Sequence, residues 1–158
     1  MQTIQSDTYY MEKALEEARV AADLGEVPIG AIVVDPSGEI IGCGHNSREQ
    51  KADVFGHAEI AAIREAREAV GGWRLDGCTR YVTLEPCFMC ASAIQQARIY
   101  RVCYAASDPK AGAVESLANF YEDYPQNHTV LWTSGVLAEE ARAMLKSFFR
   151  LLRKRNKQ

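Results

Sequence analysis

The chain has 158 residues, 47% of them hydrophobic, which suits one domain built around a single core. Its net charge of −3 excludes a uniformly basic nucleic-acid-binding surface, and no apolar run is long enough to span a membrane. The charge is unevenly spread, however: Lys146, Arg150, Arg153, Lys154, Arg155 and Lys157 crowd the C-terminal end with no acidic residue among them. Such a basic end on an acidic body is a candidate phosphate-contacting element, or equally a set of cations complementing a helix dipole. Five cysteines, an odd number, with no recognisable secretory leader point to a reducing, cytoplasmic setting.

In chain order, Asp7 or Thr8 is placed to cap a first helix with Met11, Ala14, Leu15, Ala18 and Ala22 on its apolar face, ended by Gly25. Residues 29–34 and 39–42 read as β-rich runs joined by a turn at Asp35-Pro36-Ser37-Gly38. A polar loop is expected from Cys43 to Gly56. A second helix opens near His57, carries Ile60, Ile63 and Ala66 inward, and stops at Gly71-Gly72. Tyr81-Val82-Thr83-Leu84 reads as a strand delivering the corner Glu85-Pro86-Cys87, and residues 87–97 as a helix begun by Pro86. Further strands are expected at 99–105 and 129–133. Gly135 then precedes a long basic helix, about 136–156, with Leu137, Ala141, Met144, Leu145, Phe148 and Leu152 along one side. Strands separated by helices after an initial hairpin predict an α/β fold with a mixed sheet covered on both faces, in one domain over residues 1–158.

The residues that carry chemistry are His57-Ala58-Glu59 and Pro86-Cys87-Phe88-Met89-Cys90. His57, Cys87 and Cys90 supply three zinc ligands, and catalytic zinc sites keep three protein ligands with the fourth position open for water. Two thiolates and a neutral imidazole cancel the charge of Zn²⁺. Cys87 and Cys90 share the first turn of their helix, where the dipole favours thiolate. Zinc lowers the pKa of a bound water from about 16 to about 7, and Glu59 is then placed to carry protons. His57 and Glu59, two apart, face away from each other on a regular helix. They share a site only if that site caps the helix end. A redox Cys-x-x-Cys pair and a closed structural zinc site are the competing readings; the latter needs a fourth ligand from Cys43, Cys78, Cys103, His45 or His128, none at standard spacing. Cys78 and Cys103 sit beside apolar strand residues and read as core.

Together with Val27-Pro28-Ile29-Gly30-Ala31, Asn46, Thr83-Leu84-Glu85-Pro86-Cys87, Arg98-Ile99, Asp108-Pro109-Lys110-Ala111-Gly112-Ala113, Asn127-His128 and Phe148-Phe149-Arg150, these motifs make the chain resemble the cytidine-deaminase-like zinc hydrolases over almost its whole length. Within them it resembles the bacterial tRNA-specific adenosine deaminases. The resemblance implies a three-layer α/β/α fold with a mixed central sheet of about five strands, one Zn²⁺ per subunit, a homodimer, and conversion of adenosine to inosine at the wobble position of a tRNA anticodon stem-loop. It assigns metal binding to His57, Cys87 and Cys90 and proton transfer to Glu59. Asn46 would bond the flipped base, and Asp108, Lys110, Asn127, Phe149 and Arg153 would hold neighbouring nucleotides. The zinc motifs alone fit a deaminase of free guanine, cytosine or cytidine equally well. Asn46 and Asp108-Pro109 also fit ordinary turns, His45 a surface position, and His128 a structural hydrogen bond. Two departures from the family pattern bear on the substrate: Asp53-Val54-Phe55-Gly56 precedes His57, placing Phe55 near the expected pocket mouth, and Glu115 stands where a small residue is common.

Overall fold

A computed structural model describes residues 4–157. Its elements are α1 (Asp7–Asp23), β1 (Gly30–Val34), β2 (Ile40–His45), α2 (Ala58–Val70), β3 (Thr79–Leu84), α3 (Phe88–Gln96), β4 (Arg101–Ala106), α4 (Phe120–Asp123), β5 (Leu131–Ser134) and α5 (Ala138–Asn156). The sheet order is β2-β1-β3-β4-β5. β1 pairs antiparallel with β2 and β3, while β3–β4 and β4–β5 are parallel. Side-chain alternation divides the core in two. Ile32, Val34, Tyr81 and Cys103 face Tyr10, Met11, Ala14 and Leu15 of α1 and Ala141 of α5. Ala31, Val33, Val82, Val102 and Tyr104 face Ala58, Ala62 and Ala66 of α2, Ala91 and Ile94 of α3, and Tyr121 of α4. The result is the expected three-layer α/β/α sandwich.

Several local expectations shift, each for a tertiary reason. Ser6, not Asp7 or Thr8, caps α1, its hydroxyl accepting from the Tyr9 amide. Asp7 is thereby free to accept hydrogen bonds from Tyr81 (2.6 Å) and Arg101 (2.7 Å), tying α1 to β3 and β4. The inward face of α1 turns toward Ala21 rather than Ala22. β2 runs on through Cys43, Gly44 and His45, where a loop was expected, because these residues continue the ladder with Ile32, Ala31 and Gly30. Half-buried His45 sits on that strand, its Nδ1 3.1 Å from Glu17 Oε2.

The inner face of α2 is Ala58, Glu59, Ala62 and Ala66, with Ile60 and Ile63 only half-buried. The cause lies on β2. A Cβ at Gly42 or Gly44 would come well under 3.0 Å from the backbone of α2. Glycine below and alanine above thus bring the helix down onto the sheet and fix the height of its N-terminus. Gly44→Ala should therefore destabilise the protein by about 3 kcal/mol, the upper end of overpacking in a filled core. Urea denaturation checks this; a loss under about 0.5 kcal/mol would show that the helix can lift away at little expense.

Gly71 closes α2 with φ +81°, a left-handed cap that a side chain would strain. Cys78 and Cys103 are buried, and burial raises their thiols to about 11 and about 12, so they pack as small apolar groups. Of the side of α5 expected in the core, only Ala141 is fully buried; Met144, Leu145, Phe148 and Leu152 are half-buried. No helix of the described residues is long and apolar enough to cross a membrane.

Candidate metal centre and the groove along α5

Two helix N-termini meet beyond the C-terminal end of β3. His57 is the N-cap of α2 and Cys87 the N-cap of α3, both with extended backbone and neither using its side chain to cap. Their imidazole and thiol are therefore available for ligation, and Cys90 joins them from the first turn of α3. His57 Nδ1 lies 3.7 Å from Cys87 Sγ and 3.4 Å from Cys90 Sγ, and the three donor atoms fall within 4.8 Å of one another. Zinc binds thiolate at about 2.3 Å and imidazole at about 2.0 Å, so a tetrahedral ion separates N from S by about 3.5 Å. The observed pair brackets that value. Donor chemistry and spacing both fit zinc, with three protein ligands and a fourth direction left over.

The electrostatics agree with that fit. The Cys87 thiol is pulled down to about 4, chiefly by a hydrogen bond from Cys90, against burial and with help from His57. Cys90, donating that bond in a buried position, is pushed up. His57 is raised, first by its bond with Cys87. Two residues into α2, Glu59 is 4% exposed, and its position on the first turn lets it share a site with His57. Burial raises the Glu59 carboxyl, opposed mainly by the charge of Arg80. Arg80 is fully buried on β3 and donates from Nη2 to the Glu59 carbonyl at 2.8 Å. Among the described residues its Nε and Nη1 find no acceptor. Strand alternation places residue 80 on the same face as Val82, under α2 and α3, but nothing in its local sequence marks a buried cation beneath the His57–Cys87–Cys90 corner.

Two adjoining cavities share Ile29, His57 and Glu59. One, of about 200 Å³, is also walled by Val27, Asn46 and Arg48; the other, of about 110 Å³, by Leu84, Cys87, Asp108 and Ala111. Asn46 is anchored by its own amide to the Ile29 carbonyl (3.0 Å) and reaches the Val27 carbonyl with Nδ2 (3.4 Å). The loop that follows is pinned by Glu26, whose buried carboxylate accepts from the Glu49 and Gln50 amides at 3.0 and 2.6 Å. Sequence reasoning missed Arg48, although Asn46-x-Arg48 in a loop entering the His57 corner was a usable signal. Phe55, 53% exposed, lines neither cavity. Glu115 accepts a hydrogen bond from the Tyr104 hydroxyl, which turns its carboxylate back toward the sheet.

A separate groove of about 740 Å³ runs along α5, lined by Arg142, Lys146, Phe149 and Arg153 with Lys110 from the loop after β4; Glu139 is its acidic member. Residues 142, 146, 149 and 153 recur at helical spacing, so Arg142 was legible beside the residues identified from sequence. Phe149 is 39% exposed, whereas its neighbour Phe148 is half-buried. Asn127 is exposed and lines neither the cavities nor the groove. His128 is a structural bracket: its Nε2 lies 2.7 Å from the Ile99 carbonyl, and its own carbonyl accepts from Gln95 Nε2 at 3.0 Å.

Residues 5–153 match the family of MafB19-like deaminases. A tRNA-specific adenosine deaminase of Bacillus subtilis is 48% identical over 151 residues, covering 96% of this chain and 93% of that protein. A solved structure from studies of A-to-I editing by tRNA:A34 deaminases at the wobble position of transfer RNA superposes with a TM-score of 0.83 at 48% identity, over 87% of this chain and 99% of the other. A guanine deaminase from Nitrosomonas europaea superposes with a TM-score of 0.81 at 23% identity, over 93% and 86%, a likeness of fold alone. With its matched span and these identities over nearly full length, the chain belongs to the MafB19-like deaminase family, in the company of the tRNA-specific adenosine deaminases.

Proposed function

We propose that this protein is a zinc-dependent tRNA adenosine deaminase that converts adenosine to inosine at the wobble position of an anticodon stem-loop. The observation that carries the reading is the spacing of His57 Nδ1, Cys87 Sγ and Cys90 Sγ, with buried Glu59 on the same helix turn. Bound by those three atoms, Zn²⁺ supplies acidification of a water from a pKa of about 16 to about 7. The Glu59 carboxylate takes the proton of that water and delivers it to the ring nitrogen next to the amino-bearing carbon. The oxygen left behind bonds to that carbon, and Glu59 then carries the remaining hydroxyl proton to the amino group, whose C–N bond breaks, so that water and adenosine become inosine and ammonia. Asn46 faces the base from the cavity wall, offering an amide to its edge. A base buried this deeply must leave its stack, and its neighbours then need a binding surface. Phe149 offers an exposed ring for stacking, and Lys110 and Arg153 offer charge to phosphates. Asp108 sits where the inner cavity meets the loop bearing Lys110, placed for the nucleotide beside the target. Asn127 completes the assigned set on the family resemblance alone.

The same reading carries a single deaminase domain over residues 1–158 with its basic helix as an RNA-facing element, a homodimer, and a cytoplasmic location. The five free cysteines suit a reducing compartment. Deamination of an anticodon stem-loop with adenosine at the wobble position, run beside free adenosine, cytidine and guanine, tests the function. Inosine from the stem-loop supports it; turnover of a free base or nucleoside alone overturns the substrate. For the groove, Arg153→Ala should weaken stem-loop binding and reduce the slope of log K against log salt by about 0.7–1, the loss of one phosphate contact. An unchanged slope in a salt titration would remove Arg153 from the interface.

A further inference from the structure

We infer that Glu85 is a positioning residue of the deaminase site, holding the loop from Asp108 to Ser116 against the corner that carries Cys87. The inference deepens the functional reading above, because it is through RNA that the loop's placement matters.

Between β4 and α4 the chain has no regular secondary structure, so its amides need acceptors from elsewhere. One carboxylate supplies them. Glu85 Oε1 accepts from the Asp108 amide (3.0 Å) and the Ser116 hydroxyl; Oε2 accepts from the amides of Val114 (3.1 Å), Glu115 (2.8 Å) and Ser116 (2.9 Å). A carboxylate offers about four lone-pair sites, so these donors saturate it. Main-chain bonds close the joint from both sides: the Glu85 amide donates to the Ala106 carbonyl at 2.8 Å and the Ala113 amide to the Pro86 carbonyl at 2.9 Å. Gly112 leaves the room. Any Cβ there would lie well under 3.0 Å from the Glu85 carboxylate, so a side chain at 112 and the carboxylate at 85 compete for one space.

The loop's position matters at two places. Asp108 and Ala111 share the inner cavity wall with Glu85 and Cys87, while Lys110 reaches the α5 groove. Asp108 Oδ1 accepts from the Lys110 and Ala111 amides at 3.1 and 3.2 Å, making that arm of the loop a small rigid turn. Glu85 therefore sets the distance between the metal corner and the groove without itself being assigned a contact with nucleotides. A loop that shifts by an ångström misplaces both walls for a substrate bridging them.

Glu85→Gln swaps an acceptor oxygen for an amide group that faces N–H donors and cannot bond them. We expect KM for the stem-loop to rise about ten-fold, the weight of one charge-assisted hydrogen bond. We expect kcat to stay within about two-fold and zinc content to be unchanged, since neither Glu59 nor a ligand moves. Hydrogen exchange should show protection lost at the amides of residues 108 and 114–116. Gly112→Ala should evict the carboxylate from the other side and give the same signature. The double variant should then be no worse than the worse single, the non-additivity of two changes at one joint. Ser116→Ala, which removes a single donor, gives a milder version of both readouts if Glu85→Gln folds poorly. Unchanged amide protection, lost protection without a change in KM, or additive singles would each overturn the inference. Failure of the unaltered enzyme to act on the stem-loop would instead sink the functional reading, leaving the exchange data to decide whether Glu85 holds the loop.

Discussion

Glu59→Gln is expected to lower kcat for the stem-loop by about a thousand-fold, within the range that proton-transfer groups contribute, with KM and zinc content close to those of the unaltered protein. Glutamine matches glutamate in volume, so the first turn of α2 and its packing on Gly44 are kept. What it lacks is a basic oxygen that can accept a proton and release it again. In the proposed mechanism Glu59 acts in the transition state, and it is not in the group of donor atoms that could hold a metal, so the loss should fall equally on kcat and kcat/KM. Some stability is also at stake. Arg80 is buried with its charge opposing the rise of the Glu59 carboxyl, and a neutral side chain leaves that cation less compensated. Thermal denaturation must therefore accompany the kinetics, with both read well below the melting point. Turnover within about two-fold of the unaltered enzyme would remove Glu59 from the reaction.

What the sequence revealed follows the range of the physics involved. His57-Ala58-Glu59 and Cys87-x-x-Cys90 are local motifs whose residue types and spacing carry their own meaning, so the convergence of His57, Cys87 and Cys90 was legible. So was the requirement that the site cap a helix, because residues two apart diverge on any other part of one. The basic stripe on α5 has helical period and needed no partner to be seen. The supporting groups are another matter. Asp7 meets Arg101 from 94 positions away, and Glu85 meets Ser116 across 31, with nothing in either segment announcing the other. Arg80 reads locally as one polar residue in a strand, yet it is completely buried. The inward turn of α2 was misread for a related reason. Ile60 and Ile63 are the more hydrophobic choice, but Gly42 and Gly44 bring the sheet so near that only alanine fits between. Hydrophobicity set the period, and steric depth on a strand read separately set the phase. The half-burial of α5 follows from place as well: it packs chiefly over β4 and β3 near one side of the sheet, with its basic face turned out.

Removing the metal should have the broadest effect of any change considered. Chelation, or Cys90→Ala, is expected to abolish measurable deamination, because Glu59 then has no acidified water from which to take a proton. Stability should fall as well. A ligand that binds only the folded state at a thousand times its Kd contributes about 4 kcal/mol, which for a chain of this size is about 10 °C in Tm. The structure explains why stability and activity should fall together. His57 and Cys87 are the caps of α2 and α3 and use no side-chain bond to satisfy their helices, so an ion bound between them would join the two N-termini. Without it, the His57 imidazole is left 3.4–3.7 Å from the two sulfurs, joined to them only by weak hydrogen bonds. Zinc added back to chelated protein should restore both Tm and turnover, and should restore neither in Cys90→Ala, which keeps only two of the three ligands. Full activity in protein shown by elemental analysis to be metal-free would overturn the zinc mechanism while leaving family and fold intact. A Tm that falls while activity persists would make the ion a structural clasp and leave activation of the water to Glu59 alone.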